Sequence, residues 1–261
     1  MKRGLLTVAG IVLLTGCGGR IENRSACDLK APSPVASVPA GEPSQGDFDE
    51  FEAEFSEKSI HIPDPLEGWN RLMFRINDRL YFWVLKPVTQ AYKRVAPPPV
   101  RIGIRNFFHN LMTPVRFVAC FAQRKDDAAG KEFGRFMVNS TWGILGVADP
   151  AKDQLGLEVA DDEDMGQTLG VHGAGHGFYI VWPILGPSTL RDSVGMVADL
   201  FLYPVTYLEP WEASLGVRAV RTTNDASFSL GDYETFKSAA VEPYSALRDA
   251  YLQYRAKQIR E

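Results

Sequence analysis

His172 and His176 stand four residues apart, a spacing that puts two imidazoles on one side of a helical turn and could begin a zinc site. They sit among Gly173, Gly175 and Gly177, and no His-Glu-x-x-His pattern is present. On so pliable a backbone they read as loop histidines. Asp161, Asp162, Glu163 and Asp164 form an acidic run that could supply a carboxylate pair for hydrolysis or oxygen ligands for calcium. A solvated acidic loop is the simpler reading. Gly170, Gly173, Gly175 and Gly177 suggest a phosphate-cradling loop, but no Lys-Ser or Lys-Thr follows and the spacing does not fit a dinucleotide fingerprint. No Gly-x-Ser-x-Gly nucleophile elbow occurs either. Glycines reach φ > 0 cheaply and let a loop swing or approach another surface, so these four are candidates for a hinge or channel loop. No catalytic residue, cofactor site or metal site is assigned.

The amino terminus carries a more specific chemistry. Lys2 and Arg3 precede an uncharged, mostly apolar stretch from Gly4 to Leu14, too short to span a bilayer and shaped like an export signal. It runs into Leu14-Thr15-Gly16-Cys17, the pattern of a bacterial lipobox, in which the cysteine is acylated and becomes the new terminus. Cys17 is therefore the expected lipid-attachment site, residues 1–16 the signal peptide, and the protein anchored to a membrane rather than spanning one. Gly18 in place of an aspartate favours the outer membrane.

Charge then divides the chain. Of its 261 residues, 28 are basic and 32 acidic, a formal net charge of −4 that argues against a nucleic-acid binder. Residues 17–60 read as a lipidated cysteine and flexible acidic tether, rich in Pro, Ser, Ala and Gly, with six acids and no base between Asp47 and Glu57. Residues 61–261 form the body. Within it, residues 71–116 hold nine Arg or Lys and only Asp78 as an acid, whereas residues 149–164 hold seven acids and only Lys152 as a base. Three cysteines are too few for a disulfide scaffold. Cys120 is expected to pack as a small hydrophobe, with a Cys27–Cys120 bridge as the minor alternative.

The elements that must position these residues are mostly helices. Asp64-Pro65-Leu66-Glu67 looks like a cap, a first-turn proline and an N3 acid. Trp69, Leu72, Met73, Ile76, Leu80 and Trp83 then recur with helical period, and Pro87 should end that helix. Beside this apolar stripe, Arg71, Arg75 and Arg79 form a row at i, i+4 and i+8. An amphipathic helix with arginines and tryptophans suits a membrane interface; the competing reading is a core helix whose arginines face water. A triple proline, Pro97 to Pro99, should break the chain before a helix over 100–111. Thr113-Pro114 should cap another to residue 124, and Asp126-Asp127 should open one towards Trp142. Residues 169–190 carry no Asp, Glu, Lys or Arg, yet five glycines and two prolines forbid a spanning helix; 179–184 could be a short strand. Helices are expected over 191–203, 209–223 and 243–259. The fold class is mainly α.

Taken together, Asp64-Pro65-Leu66-Glu67-Gly68-Trp69-Asn70-Arg71 resembles the opening signature of the MlaA/VacJ family of outer-membrane lipoproteins. Asn106 to Leu111 with Pro114, Arg135-Phe136, Asn139 to Thr141 and Gly143 to Asp149 are similar to its next segments. So are Gly166 to Gly170, the glycines through 177, Gly186 to Asp192 and Arg248 to Tyr251. Phe178 and Glu242-Pro243-Tyr244 depart from the pattern. The resemblance implies a ring-like bundle of amphipathic helices in the inner leaflet of the outer membrane, on its periplasmic side, around a central channel. It further implies a non-enzymatic conduit that removes mislocalised phospholipid from the outer leaflet and maintains lipid asymmetry. Its implied partners are phospholipids, trimeric porins and a soluble periplasmic lipid carrier of the Mla type. A lipid hydrolase using the acids near 161–164, and a structural porin adaptor, are the alternatives.

Overall fold

The computed structural model describes residues 63–158 and 162–260; the export signal, Cys17, Cys27, the tether with its acidic run, and Asp161 lie outside the described residues. The described chain is mainly helical, as its periodicity predicts. Helix α1 (Glu67–Leu80) passes through a π-helical turn (Tyr81–Leu85) into α2 (Lys86–Val95), followed by α3 (Pro98–Leu111), α4 (Thr113–Ala122), α5 (Asp126–Thr141), α6 (Pro150–Asp153) and α7 (Met165–Val171). Strands β1 (Tyr179–Trp182) and β2 (Gly186–Thr189) make a hairpin, and α8 (Leu190–Leu202), a 3₁₀ turn (Pro204–Tyr207), α9 (Trp211–Ala226), α10 (Asp232–Ala239) and α11 (Pro243–Arg260) complete the order.

Four expectations at helix ends are corrected. Asp64 is not the cap of α1: Leu66 stands at that position without a side-chain bond, and the Asp64 carboxylate accepts instead from Asn70 Nδ2 at 2.7 Å and from the Tyr244 hydroxyl. The opening acid thus ties α1 to α11. Pro87 does not end the first helix. It lacks an N–H and would crowd the preceding turn, but the π turn closes a wider ring, Lys86 N to Tyr81 O, and the helix passes through. The triple proline does break the chain, with Ala96 and Pro97 extended, but α3 starts at Pro98 rather than at 100, because the first turn needs no N–H donors. Thr113 lies inside the first turn of α4, where its hydroxyl accepts from Arg116 rather than capping.

The hairpin is positioned by α1. Asn70 and Asn77, two helical turns apart, both face β1. Asn70 Nδ2 donates to Tyr179 O at 3.1 Å and its Oδ1 accepts from Val181 N at 2.7 Å. Asn77 does the same one step along, donating to Trp182 O at 2.9 Å and accepting from Ile184 N at 2.7 Å. Two side-chain amides thus satisfy the strand edge that β2 leaves open. Met73, between them, enters a core cluster with Tyr179, Val181, Tyr244 and Leu252.

Helices α4 and α5 pack the other way round. Arg116 Nε donates to Glu132 Oε2 at 2.8 Å, with both side chains buried. Arg135 pairs with Asp149 at 2.7 Å, and Asn139 bonds both Asp149 and the Ala151 N–H. The exposed large apolar side chains of this pair are Phe121, Phe133 and Met137, with Phe117 stacked on Phe121, beside exposed Asp126, Asp127 and Lys131. Cys120 is buried and free, as a small hydrophobe, and burial pushes its thiol up to about 11.

Candidate functional site

A cavity of about 330 Å³ lies among β2, α8, α9 and α11. Its apolar wall comes from Met112, Leu185, Met196 and Leu200; its polar wall includes Asp199, Arg218, Arg221, Asp225 and Arg255. The size is at the small end for a ligand pocket, and the mixed lining suits a molecule that is charged at one end and apolar at the other.

Each wall is fixed by identifiable contacts. Helix α8 lies so close to α7 that a Cβ on Gly195 would collide with the Gly166 backbone, so only glycine permits the approach. That contact and the Met165 N–H, which donates to Asp199 Oδ1 at 3.1 Å, set the height of Asp199. Helix α9 is held by the fully buried Asn224, which accepts from the Tyr92 hydroxyl at 2.7 Å and donates to Arg101 O at 3.0 Å. Helix α11 is anchored by Arg255, whose guanidinium takes Asp164 through both Nη atoms at 2.7 and 3.0 Å and Asp192 at 2.9 Å. Arg191 and the Tyr251 hydroxyl complete the shell around Asp192. Burial alone would raise Asp192; the two guanidinium groups overcome it and hold the carboxyl at about 2. Asp199 has no such partner, and burial together with the nearby Asp164 pushes it up to about 7.

The residues singled out by spacing fall in several places. Met73 is in the core, while Trp69, Leu72, Ile76 and Trp83 are exposed, Trp83 to 76%. Leu80 is half-buried. Trp69 also donates its indole N–H to Val181 O at 3.2 Å, so the helix presents a split stripe, part core and part surface. Arg75 and Arg79 are exposed, but Arg71 pairs with Glu67 and Glu242, each at 2.7 Å, and lies over the Tyr244 ring. Gly170 is not in a loop: it lies within α7, where a Cβ would strike Ile259 of α11. Gly173 and Gly177 have φ of +86° and +70° in the link from α7 to β1, and Gly175 lies between them with open space around it. None of the four glycines lines the cavity.

The acidic run is not a solvated loop throughout. Asp164 caps α7 by accepting from Gln167 N at 2.8 Å and is clamped by Arg255. Glu163 is buried, bonded to Gln123 at 2.7 Å and Lys125 at 2.6 Å. Only Asp162 of the three described acids is exposed. Among the described residues no group of His, Cys, Asp and Glu is placed to hold a metal ion. His172 Nδ1 lies 2.8 Å from Thr168 O, as part of the end of α7. Tyr203, Arg218, Arg221, Asp199 and Arg255 escaped the sequence reading. Charged residues on amphipathic helices usually face water, and nothing in their spacing marks these as facing inward.

A family model described as MlaA lipoprotein matches residues 62–258. The chain belongs to the MlaA lipoprotein family. It is 34% identical over 192 residues to the intermembrane phospholipid transport system lipoprotein MlaA of Shigella flexneri, across 73% of this chain and 76% of that protein. The Escherichia coli K12 protein of the same name matches to the same extent. The Haemophilus influenzae MlaA is 32% identical over 198 residues, again across 73% and 76%. A solved structure reported as the structural basis for maintenance of bacterial outer membrane lipid asymmetry superimposes with a TM-score of 0.67 at 33% identity. That match covers 76% of this chain and 99% of the other. These MlaA relatives are named as parts of a transport system, not as enzymes.

Proposed function

We propose that this MlaA-family chain is a phospholipid conduit of the outer membrane, non-enzymatic and anchored on the periplasmic side through acylated Cys17. The observation that carries the reading is the cavity: charged groups and an apolar wall share one opening of about 330 Å³. That volume suits a headgroup, with acyl chains trailing along apolar surface. The outer face supports it. Trp83, Ile144 and Phe201 are 76%, 74% and 71% exposed, while Arg116 and Glu132 are buried, a distribution suited to an apolar surround. No helix among the described residues is long and apolar enough to cross a membrane. The body therefore lies in one leaflet, as a ring of amphipathic helices, with Trp69, Leu72, Ile76 and Trp83 at the interface and Arg75 and Arg79 at headgroup depth.

In this reading phospholipid mislocalised to the outer leaflet passes through the body to a soluble periplasmic carrier, and a trimeric porin holds the assembly in place. Gly173, Gly175 and Gly177 form the hinge before the hairpin, whose Leu185 and Pro187 reach the cavity. The test is the phospholipid content of the outer leaflet in cells lacking the chain, measured by phospholipase accessibility on intact cells. A rise, reversed by the wild-type chain but not by Cys17→Ser, is expected; unchanged asymmetry would overturn the conduit.

A further inference from the structure

We propose that Tyr203 and Arg218 form a phosphate subsite inside the cavity, which holds the phosphodiester of a lipid headgroup while the chains remain on the apolar wall. The choice of a lipid as the source of that phosphate rests on the conduit reading; the site itself rests on three observations. The first is an unused donor. Tyr203 is buried to 4% exposure in the cavity wall, and its hydroxyl has no hydrogen-bond partner among the described residues. A buried hydroxyl left unpaired is costly, and in a residue that lines a polar cavity it is a spare donor for something that accepts a hydrogen bond.

The second is an uncompensated cation. Arg218 donates to Thr206 Oγ1 at 2.7 Å, but among the described residues it forms no ion pair. Most other buried or half-buried cations around the cavity are committed: Arg255 to Asp164 and Asp192, Arg191 to Asp192, and Arg221 to Asp225 at 3.6 Å. The third is convergence. The guanidinium carbons of Arg218 and Arg221 lie 5.3 and 5.7 Å from the centroid of the Tyr203 ring. Two cations gathered on one aromatic ring repel each other, and burial adds to that cost; Arg218 is held below its ordinary value by burial and by Arg221. An anion placed between the ring hydroxyl and the Arg218 fork relieves both. A phosphodiester offers two charged oxygens, which match a guanidinium fork and accept from a phenol at once. The nearby carboxylates do not compete for the fork, since Asp225 is turned to Arg221 and Asp199 accepts from Met165 on α7.

The full acylated chain, purified in a non-ionic detergent and stripped of lipid, is titrated calorimetrically with three probes. They are dihexanoyl phosphatidylglycerol below its micelle concentration, dihexanoylglycerol without the phosphate, and inorganic phosphate. The phospholipid is expected to bind at least tenfold more tightly than the phosphate-free analogue. Arg218→Gln should weaken it tenfold or more, Arg218→Lys less, and Tyr203→Phe three- to tenfold, each with unchanged circular dichroism. Arg94→Gln, an exposed cation on α2, should change nothing. Phospholipid binding that is unaltered in Arg218→Gln and Tyr203→Phe, or equal binding of the phosphate-free analogue, overturns the subsite and leaves the conduit standing. Binding of inorganic phosphate, lost in Arg218→Gln, with no binding of the phospholipid keeps the phosphate site and overturns its lipid source, and the conduit with it.

Discussion

The hairpin cluster and the α4–α5 pair solve the problem of burial in opposite ways. Around β1, apolar side chains go inward: Tyr179, Val181, Leu252 and Met73 meet, and polar Asn70 and Asn77 are present because a strand edge needs partners. Between α4 and α5, Arg116, Glu132, Arg135 and Asn139 go inward beside the small Val115, Ala119 and Ala129, while the large Phe121, Phe133 and Met137 go outward. A buried ion pair contributes little net stability in a water-soluble protein, because desolvation offsets the attraction. It becomes sensible when the alternative for those charges is an apolar surround rather than water. On the proposed conduit reading, the contrast assigns the α4–α5 side of the molecule to the lipid.

The largest effect expected is at the ion pair. Glu132→Ala leaves the Arg116 guanidinium buried and unpaired, and should cost about 3–5 kcal/mol of stability. The double variant Arg116→Met, Glu132→Leu should recover most of that loss in chemical denaturation of the detergent-solubilised chain. Failure of the double variant to recover would mean that the polar interior is needed for more than mutual charge compensation, and the contrast would sharpen. In the hairpin cluster Leu252→Ala should cost roughly 2–5 kcal/mol through the cavity it leaves. Tyr179→Phe there should be neutral or slightly stabilising, because the Tyr179 hydroxyl is buried with no partner among the described residues.

A smaller effect separates the cavity beside the hairpin from the α4–α5 pair by pH. Asp199, at the cavity, is raised to about 7, whereas His109, beside Arg116, is lowered to about 3 by burial and by that guanidinium. A carboxyl whose folded value exceeds its unfolded value favours the native state increasingly as pH falls from about 7 towards the ordinary range near 4. A histidine whose folded value is depressed does the reverse: its native neutral form loses ground as pH falls below about 6.5. Full burial would make the Asp199 effect roughly 4 kcal/mol, and its partial exposure reduces this to about 1–2 kcal/mol. Melting curves of Asp199→Asn should lose the acid-side gain between pH 8 and 5.5, and those of His109→Gln the acid-side loss. Parallel pH profiles for both variants and the wild type would remove this distinction.

Much of this architecture was legible in the residues, and the limits are physical. Helix α5 opened at Asp126 and stopped at Trp142 as its charges and period indicate. The strand over 179–182 followed from an uncharged run rich in β-branched and aromatic residues. Its partner, Gly186-Pro187-Ser188-Thr189, carries no such pattern and is a strand only because β1 pairs with it. The first helix read as a single apolar stripe, yet Met73 goes to the core while Trp69, Leu72 and Ile76, ahead of the π turn, and Trp83, within it, are exposed, because the hairpin and α11 cover only one edge of the stripe. The cavity was not legible. Arg218 and Arg221 have the spacing of ordinary surface cations on α9, and only the packing of Asn224 turns them onto Tyr203.

The smallest effect on the fold should be the largest on the membrane. Phe121, Phe133 and Trp142 are already exposed, so changing each to serine removes little packing, and stability should move by less than about 0.5 kcal/mol per site. If that surface faces lipid, each side chain contributes about 1.5–3 kcal/mol on insertion. A chain beginning at Ile60, without the acyl anchor, should then float with liposomes, and the triple serine variant should bind them at least a thousandfold more weakly. Salt should weaken the wild-type binding only in part, because screening acts on Arg75 and Arg79 and leaves the apolar term untouched. Equivalent triple substitution in the hairpin cluster should instead unfold the chain. An anchorless chain that stays monodisperse without detergent and does not float would show that the α4–α5 surface meets water, and the inverted pattern of its buried charges would then need a protein partner to cover its phenylalanines.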